Sequence, residues 1–110
     1  MKYKMTQDQI DRIVFPFLDK EFEGIEKYEA ANFNGYVFKK PDEALAKLGY
    51  EEDGHLTIHY SSINKISLFF SLEYSVAEEL IGRWAKDRLQ IKLIETSPYP
   101  YYLEAFVSID

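Results

Sequence analysis

The sequence predicts an α+β fold: a mostly antiparallel or mixed sheet of roughly four to six strands, with roughly two or three helices packed mainly on one face. Three observations predict it. Val76, Ala77, Leu80, Ile81, Trp84, Ala85 and Leu89 recur at helical spacing between Ser75 and Leu89. Leu56, Ile58 and Tyr60 alternate with His55, Thr57 and His59, the period of a half-buried strand. Asn34-Gly35 lies between apolar runs, a strong hairpin signal because both residues tolerate positive φ. The 110 residues are expected to form one domain, residues 1–110, since no linker, repeat or low-complexity tract divides them.

In chain order, Thr6 and Gln9 suit a capping box, in which each side chain satisfies a backbone N–H at a helix start. The stripe Ile10, Ile13, Val14, Phe17, Leu18 and Phe22 follows, and Pro16 predicts a kink or a split into two short helices ending near Gly24. Residues 25–40 read as a hairpin with a type I′ turn at Asn34-Gly35, its first arm weak enough in strand propensity to be an extended loop instead. Pro41 stops its second arm, and Asp42 is placed to cap a short helix over Glu43 to Leu48, closed by Gly49. Tyr50 to Gly54 is a polar turn, and His55 to Tyr60 a strand. Ser61 to Asn64 is a second turn, and the alternation of Ile66, Leu68 and Phe70 predicts another strand. The main helix comes next, with Ser75 and Glu78 suited to a capping box and Trp84 as its largest anchor. Its two flanking strands can lie parallel across this crossover. Gln90 to Thr96 reads as a strand, Ser97-Pro-Tyr-Pro100 as a turn and Tyr101 to Ile109 as the last strand. Within the main helix, Glu79 and Arg83 form an i, i+4 pair. Gly82 costs about 1 kcal/mol relative to Ala there, which hints at a close approach to the outer face.

Composition narrows the function classes. Nineteen acids against 13 bases give a formal charge of −6, which disfavours a nucleic-acid backbone as direct ligand and favours a basic partner. Hydrophobic residues are 46% and aromatics 16%, with nine Tyr and eight Phe, enough for a packed core and for tyrosine at a protein-binding surface. With no cysteine, thiol nucleophiles, thiolate metal ligands and disulfides are excluded. The N-terminal residues lack the apolar core of a signal peptide and no window suits a membrane span, so the expected location is cytoplasmic.

No catalytic pattern emerges. On one strand His55 and His59 would stand roughly 13 Å apart at about 3.3 Å per residue, too far to share a metal, and are expected on the solvent face. There is no nucleophile elbow, no phosphate-binding glycine motif and no EF-hand loop. A binding protein is therefore expected rather than an enzyme, and no cofactor or metal is expected.

Three constellations are candidate partner contacts. The first is the acidic run Asp19, Glu21, Glu23, Glu26 and Glu29. The second is Tyr50 with Glu51, Glu52 and Asp53, and the third is the proline-stiffened loop bearing Tyr99, Tyr101 and Tyr102. Carboxylates interleaved with aromatics suit a surface that pairs with Lys or Arg while burying apolar area. The sharpest expectation is a stoichiometric inhibitor of the bacterial immunity or antitoxin type, neutralising a basic toxin such as a nuclease domain by filling its positive cleft. The alternative is a small-molecule-binding or enzymatic domain whose mark would be an enclosed Tyr- or Phe-lined cavity carrying His55 or His59 with a carboxylate. A third class is a homo-oligomeric subunit built through an exposed strand edge.

Overall fold

The apolar stripe ending at Leu89 organises the molecule, since a helix with that stripe must bury it against another layer. In the computed structural model, which describes residues 6–31, 33–101 and 103–104, it becomes α3 (Tyr74–Arg88). Two further helices join it, α1 (Gln7–Glu21) and α2 (Tyr60–Phe70). The strands are β1 (Glu26–Glu29), β2 (Gly35–Lys39), β3 (Leu45–Ala46), β4 (Leu48–Glu51), β5 (His55–His59), β6 (Glu95–Tyr99) and β7 (Leu103–Glu104). Five of them form one sheet in the order β1-β2-β4-β5-β6, and β3 pairs with β7 in a separate two-stranded ladder.

The fold is α+β, with a mixed but mostly antiparallel sheet. β1–β2, β2–β4 and β4–β5 are antiparallel, and the crossover through α2 and α3 makes β5–β6 parallel. Strand alternation sends Phe38, Leu48, Tyr50, Leu56 and Ile58 to the helix side, where they meet Val14, Leu18, Ile63, Ile66, Leu80, Ile81 and Trp84 in the main core. Val37, Ala46 and Leu103 form a small second cluster, with Phe33 and Tyr28 packed against it.

α1 begins with the expected capping box: Thr6 Oγ1 accepts from the Gln9 N–H and Gln9 Oε1 from the Thr6 N–H. Pro16 lies inside this helix without splitting it. Its ring and Arg12 both face solvent, so the carbonyl that loses its helical donor is open to water. Glu21 ends the helix, Phe22 caps it, and Gly24 at φ +79° turns the chain.

Several local expectations are overturned by tertiary contacts. Neither Asn34 nor Gly35 has positive φ, so the β1–β2 connection is not a type I′ turn. Gly35 is needed for close approach instead: a Cβ there would stand 2.1 Å from the Tyr50 carbonyl oxygen. The short helix over Glu43 to Leu48 does not form. Residues 45–46 pair with β7, and Leu48 enters the central sheet between Phe38 and Ile58. Gly49 is not a helix stop but a mid-sheet residue under Leu103 and Phe33.

The strand expected over Ile66 to Ser71 is the C-terminal part of α2. Ile63, Ile66 and Phe70 share one helical face, while Leu68 is 81% exposed and Phe69 65% exposed. Buried His59 starts this helix by accepting the Ser61 N–H at Nδ1. For α3, Glu73 stands at the N-cap without a side-chain cap bond, and Glu78 accepts instead from Thr96 Oγ1 at 2.5 Å. The Ser75–Glu78 capping box is therefore absent. Gly82 does mark a close approach, but by the chain itself: a Cβ would stand 2.9 Å from Thr96 Cγ2.

β6 includes Ser97, Pro98 and Tyr99, expected as a turn, while residues 91–93 are irregular. An edge strand tolerates proline because its outward N–H needs no partner. The last strand is described only at Leu103–Glu104; residues 102 and 105–110 lie outside the described residues.

Trp84 is 3% exposed, its ring 5.0 Å from Phe22. Trp84→Ala is expected to lower unfolding free energy by about 3–5 kcal/mol in urea titration. Gly35→Ala should cost more than Gly24→Ala. The first presses a Cβ on backbone, while the second has no atom within 4 Å and pays only the left-handed conformation, about 1–2 kcal/mol.

Candidate functional site

The register of the sheet sorts side-chain charge toward its two ends. Pairing of Gly35 with Glu51, Glu51 with His55 and His55 with Glu95 draws one transverse row across β2, β4, β5 and β6, and Glu29 on β1, paired with Tyr36, sits one position away from it. The β4–β5 turn adds Glu52 and Asp53 at this same end. Five carboxylates thus gather from β1, β4, β6 and one turn.

Their hydrogen bonds come from neutral groups and from histidine. Glu52 Oε1 accepts the Tyr36 hydroxyl at 2.9 Å, and Asp53 Oδ1 accepts the His55 N–H at 3.2 Å. His55 Nδ1 lies 2.8 Å from Glu95 Oε1. Among the described residues, no Lys or Arg forms an ion pair with Glu29, Glu51, Glu52, Asp53 or Glu95. The Tyr36 hydroxyl registers this field. Its pKa is raised above 10.0, first by the bond to Glu52, then by the Glu52 charge, by burial and last by the Glu29 charge. The nearby cation is Lys27, whose Nζ stands 3.9 Å from the Tyr36 ring centre.

The other expected contact residues are dispersed. Asp19 is exposed but already bound within the chain: its Oδ1 accepts from Trp84 Nε1 and from Arg88 Nε, each at 2.8 Å. Glu21 pairs with Lys65 at 2.7 Å, Glu23 is exposed in the turn after α1, and Glu26 accepts the Tyr28 hydroxyl at 3.0 Å. Tyr50 is not a surface residue at all. Its ring is buried in the core and its hydroxyl donates to the Lys92 carbonyl at 2.8 Å.

Tyr99 and Tyr101 are exposed, with ring centres 5.6 Å apart and nearly perpendicular. Tyr99 pairs with His59 at the opposite end of β6 from Glu95, so these rings lie away from the carboxylate row. Tyr102 lies outside the described residues. The first acidic run is likewise split, with Glu29 beside the row and Asp19 to Glu26 toward the far end of β1 and α1.

The histidines do not behave alike. His55 is half-buried beside Glu95, whereas His59, expected on the solvent face, is 3% exposed. Burial, helped by the Lys47 charge, pushes its pKa below 6.5. The neutral ring keeps Nδ1 as acceptor for the Ser61 N–H, the role it holds at the start of α2.

At the opposite end of the sheet lies a feature the sequence did not reveal. α1, α2, the end of β2 and the segment between β3 and β4 line an open cleft of about 580 Å³, with Phe17, Phe22, Ile25, Phe38 and Phe69 and with Lys20, Lys39, Lys40, Lys47 and Lys65 on its walls. Glu21 and Glu43 are its acidic residues. The one local signal was Lys39-Lys40 beside Pro41; Lys20, Lys47 and Lys65 join them only through topology. Neither histidine lines the cleft, so it is not the His–carboxylate cavity that the alternative reading required. Comparisons with protein-family models, curated proteins and solved structures gave no match, and the geometry alone carries the functional reading.

Asp19 provides a pH test of the helix layer. Hydrogen bonds from Arg88 and Trp84 hold its carboxyl below 3.8 in the folded state. A depressed folded pKa contributes stability above the unfolded value and loses it as pH falls through the folded one. Asp19→Asn should therefore be less stable than the parent near neutrality. The gap should narrow once pH drops below 3.8, read by thermal melts across that range.

Proposed function

We propose that the protein acts in the cytoplasm by capturing a basic protein partner, as a stoichiometric inhibitor of the bacterial immunity or antitoxin type captures a toxin such as a nuclease domain. The carboxylate row at the end of the sheet is the contact surface in this reading. One observation carries it: Glu29, Glu51, Glu52, Asp53 and Glu95 converge from separate elements, and none is paired with Lys or Arg among the described residues.

The contrast with the helix layer gives the observation its weight. There, Asp11 is bound by Arg83, Asp19 by Arg88 and Glu21 by Lys65. Carboxylates already held by a cation have little left to offer a partner, whereas the unpaired row keeps its field. Uncompensated charge steers an oppositely charged surface into encounter, and at contact each carboxylate accepts charge-assisted hydrogen bonds from Lys or Arg. Half-buried Tyr36 and Phe33 lie beside Glu29 and Glu52 in one shallow depression of about 270 Å³. A nuclease cleft, positive because it must hold a phosphate backbone, has the complementary chemistry.

The test uses the triple variant Glu29→Gln, Glu52→Gln, Glu95→Gln, which removes three charges while keeping a hydrogen-bond acceptor at each position. A partner recovered from the source cells should bind the parent chain with strong salt dependence between about 50 and 200 mM. The variant should keep its melting temperature within a few degrees, bind at least tenfold more weakly and show a flatter salt response. A partner whose affinity ignores both salt and the three substitutions refutes the proposal.

A further inference from the structure

We infer that the lysine-lined cleft beneath α1 and α2 is a second binding site, one that takes a single-chain amphiphile with an anionic head. Its volume of about 580 Å³ is in the range of small-molecule sites. Its composition is unusual for this chain: five lysines against two glutamates leave a local surplus of three positive charges in a protein of formal charge −6.

Internal partners account for only part of that surplus. Lys65 is held by Glu21 at 2.7 Å, and Lys39 Nζ stands 4.3 Å from the Tyr28 ring centre and donates to the Lys40 carbonyl. Lys20, Lys40 and Lys47 have no carboxylate partner among the described residues. Three ammonium groups gathered around one opening repel each other, and an anion placed between them relieves that repulsion. Lysine binds such a head as a mobile point charge, so carboxylate and phosphate monoester both suit it.

The apolar lining supplies the other half of the argument. Phe17, Phe22, Ile25 and Phe38 give a hydrocarbon wall, and Phe69 adds a largely exposed ring 4.8 Å from Phe17. An inorganic anion would leave this wall wet, and a neutral hydrocarbon would leave the ammonium groups unmatched. An alkyl chain with an anionic head meets both demands.

The single tryptophan is a built-in reporter, because Trp84 packs 5.0 Å from Phe22 of the cleft wall. Dodecanoate and dodecyl phosphate, titrated below their micelle concentrations, should each give a saturable change in Trp84 fluorescence. Dodecanol should bind at least tenfold more weakly, and inorganic phosphate should give no change. The double variant Lys40→Gln, Lys47→Gln should weaken both anions at least tenfold and leave dodecanol unaltered. Phe69→Ser, at a position 65% exposed, should weaken every ligand that has a chain, with a thermal melt confirming that the variant is folded. Equal affinity for dodecanol and dodecanoate, or no effect of the lysine substitutions, overturns the inference. So does binding to anionic phospholipid vesicles or to polyglutamate without binding to monomeric amphiphile, which would assign the lysines to a membrane surface or an acidic protein. The Glu29, Glu52, Glu95 triple variant should bind the amphiphiles as the parent does, so the two sites fail or succeed separately.

Discussion

The packing of Trp84 against Phe22, with the indole N–H held by Asp19, is the contact on which the helix layer depends. α1 and α3 are distant in sequence, and the indole ring joins them where α1 ends. Arg88 adds a charged clamp on the same Asp19 carboxylate, and Arg83 ties Asp11 further up α1. The indole donor would be costly to bury unpaired, so an aspartate at this position is a packing requirement before it is a surface charge. The same contact fixes Phe22 as a wall of the lysine-lined cleft, which links the core of the fold directly to one of its two candidate sites.

Charge segregation follows from topology. With β5 parallel to β6 and antiparallel to β4, the β4–β5 turn and the start of β6 fall at one end of the sheet. Carboxylates on those segments are then drawn together whatever their separation in sequence. The end of β2, the segment between β3 and β4, and the end of α1 meet at the other end, and these carry lysines. A net charge of −6 averages over this arrangement and describes neither end.

Much of the architecture was legible because some segments admit only one periodicity. The α3 stripe and the 55–59 strand have that property, and the α1 capping box was legible from Thr6 and Gln9; a parallel crossover was expected through α3 alone, whereas it runs from β5 through both α2 and α3. Ile66 and Phe70 lack a single periodicity: a separation of four residues satisfies a helix face and a strand face equally. The shared face with Ile63, and the exposure of Leu68, decide for the helix. Glu43 to Leu48 was likewise ambiguous, since Ala, Lys and Leu favour a helix in isolation. Gly49 resolves it only after Leu103 and Phe33 arrive above the sheet.

By itself the sequence determined the class of the fold, the helix of about four turns that anchors it, and an excess of acid over base with no thiol chemistry. Only the tertiary structure decided which acids are paired with a cation inside the chain and which are not. Asp19 and Glu29 belong to one acidic run, yet one braces the indole of Trp84 and the other stands beside the row with no Lys or Arg partner among the described residues. Tyr50 reads as a surface aromatic beside three acids, but strand alternation turns its ring into the core. The physical reason is that an ionic or aromatic side chain acquires its role from its neighbours in space. Those neighbours are set by strand order and helix packing, which no local pattern specifies.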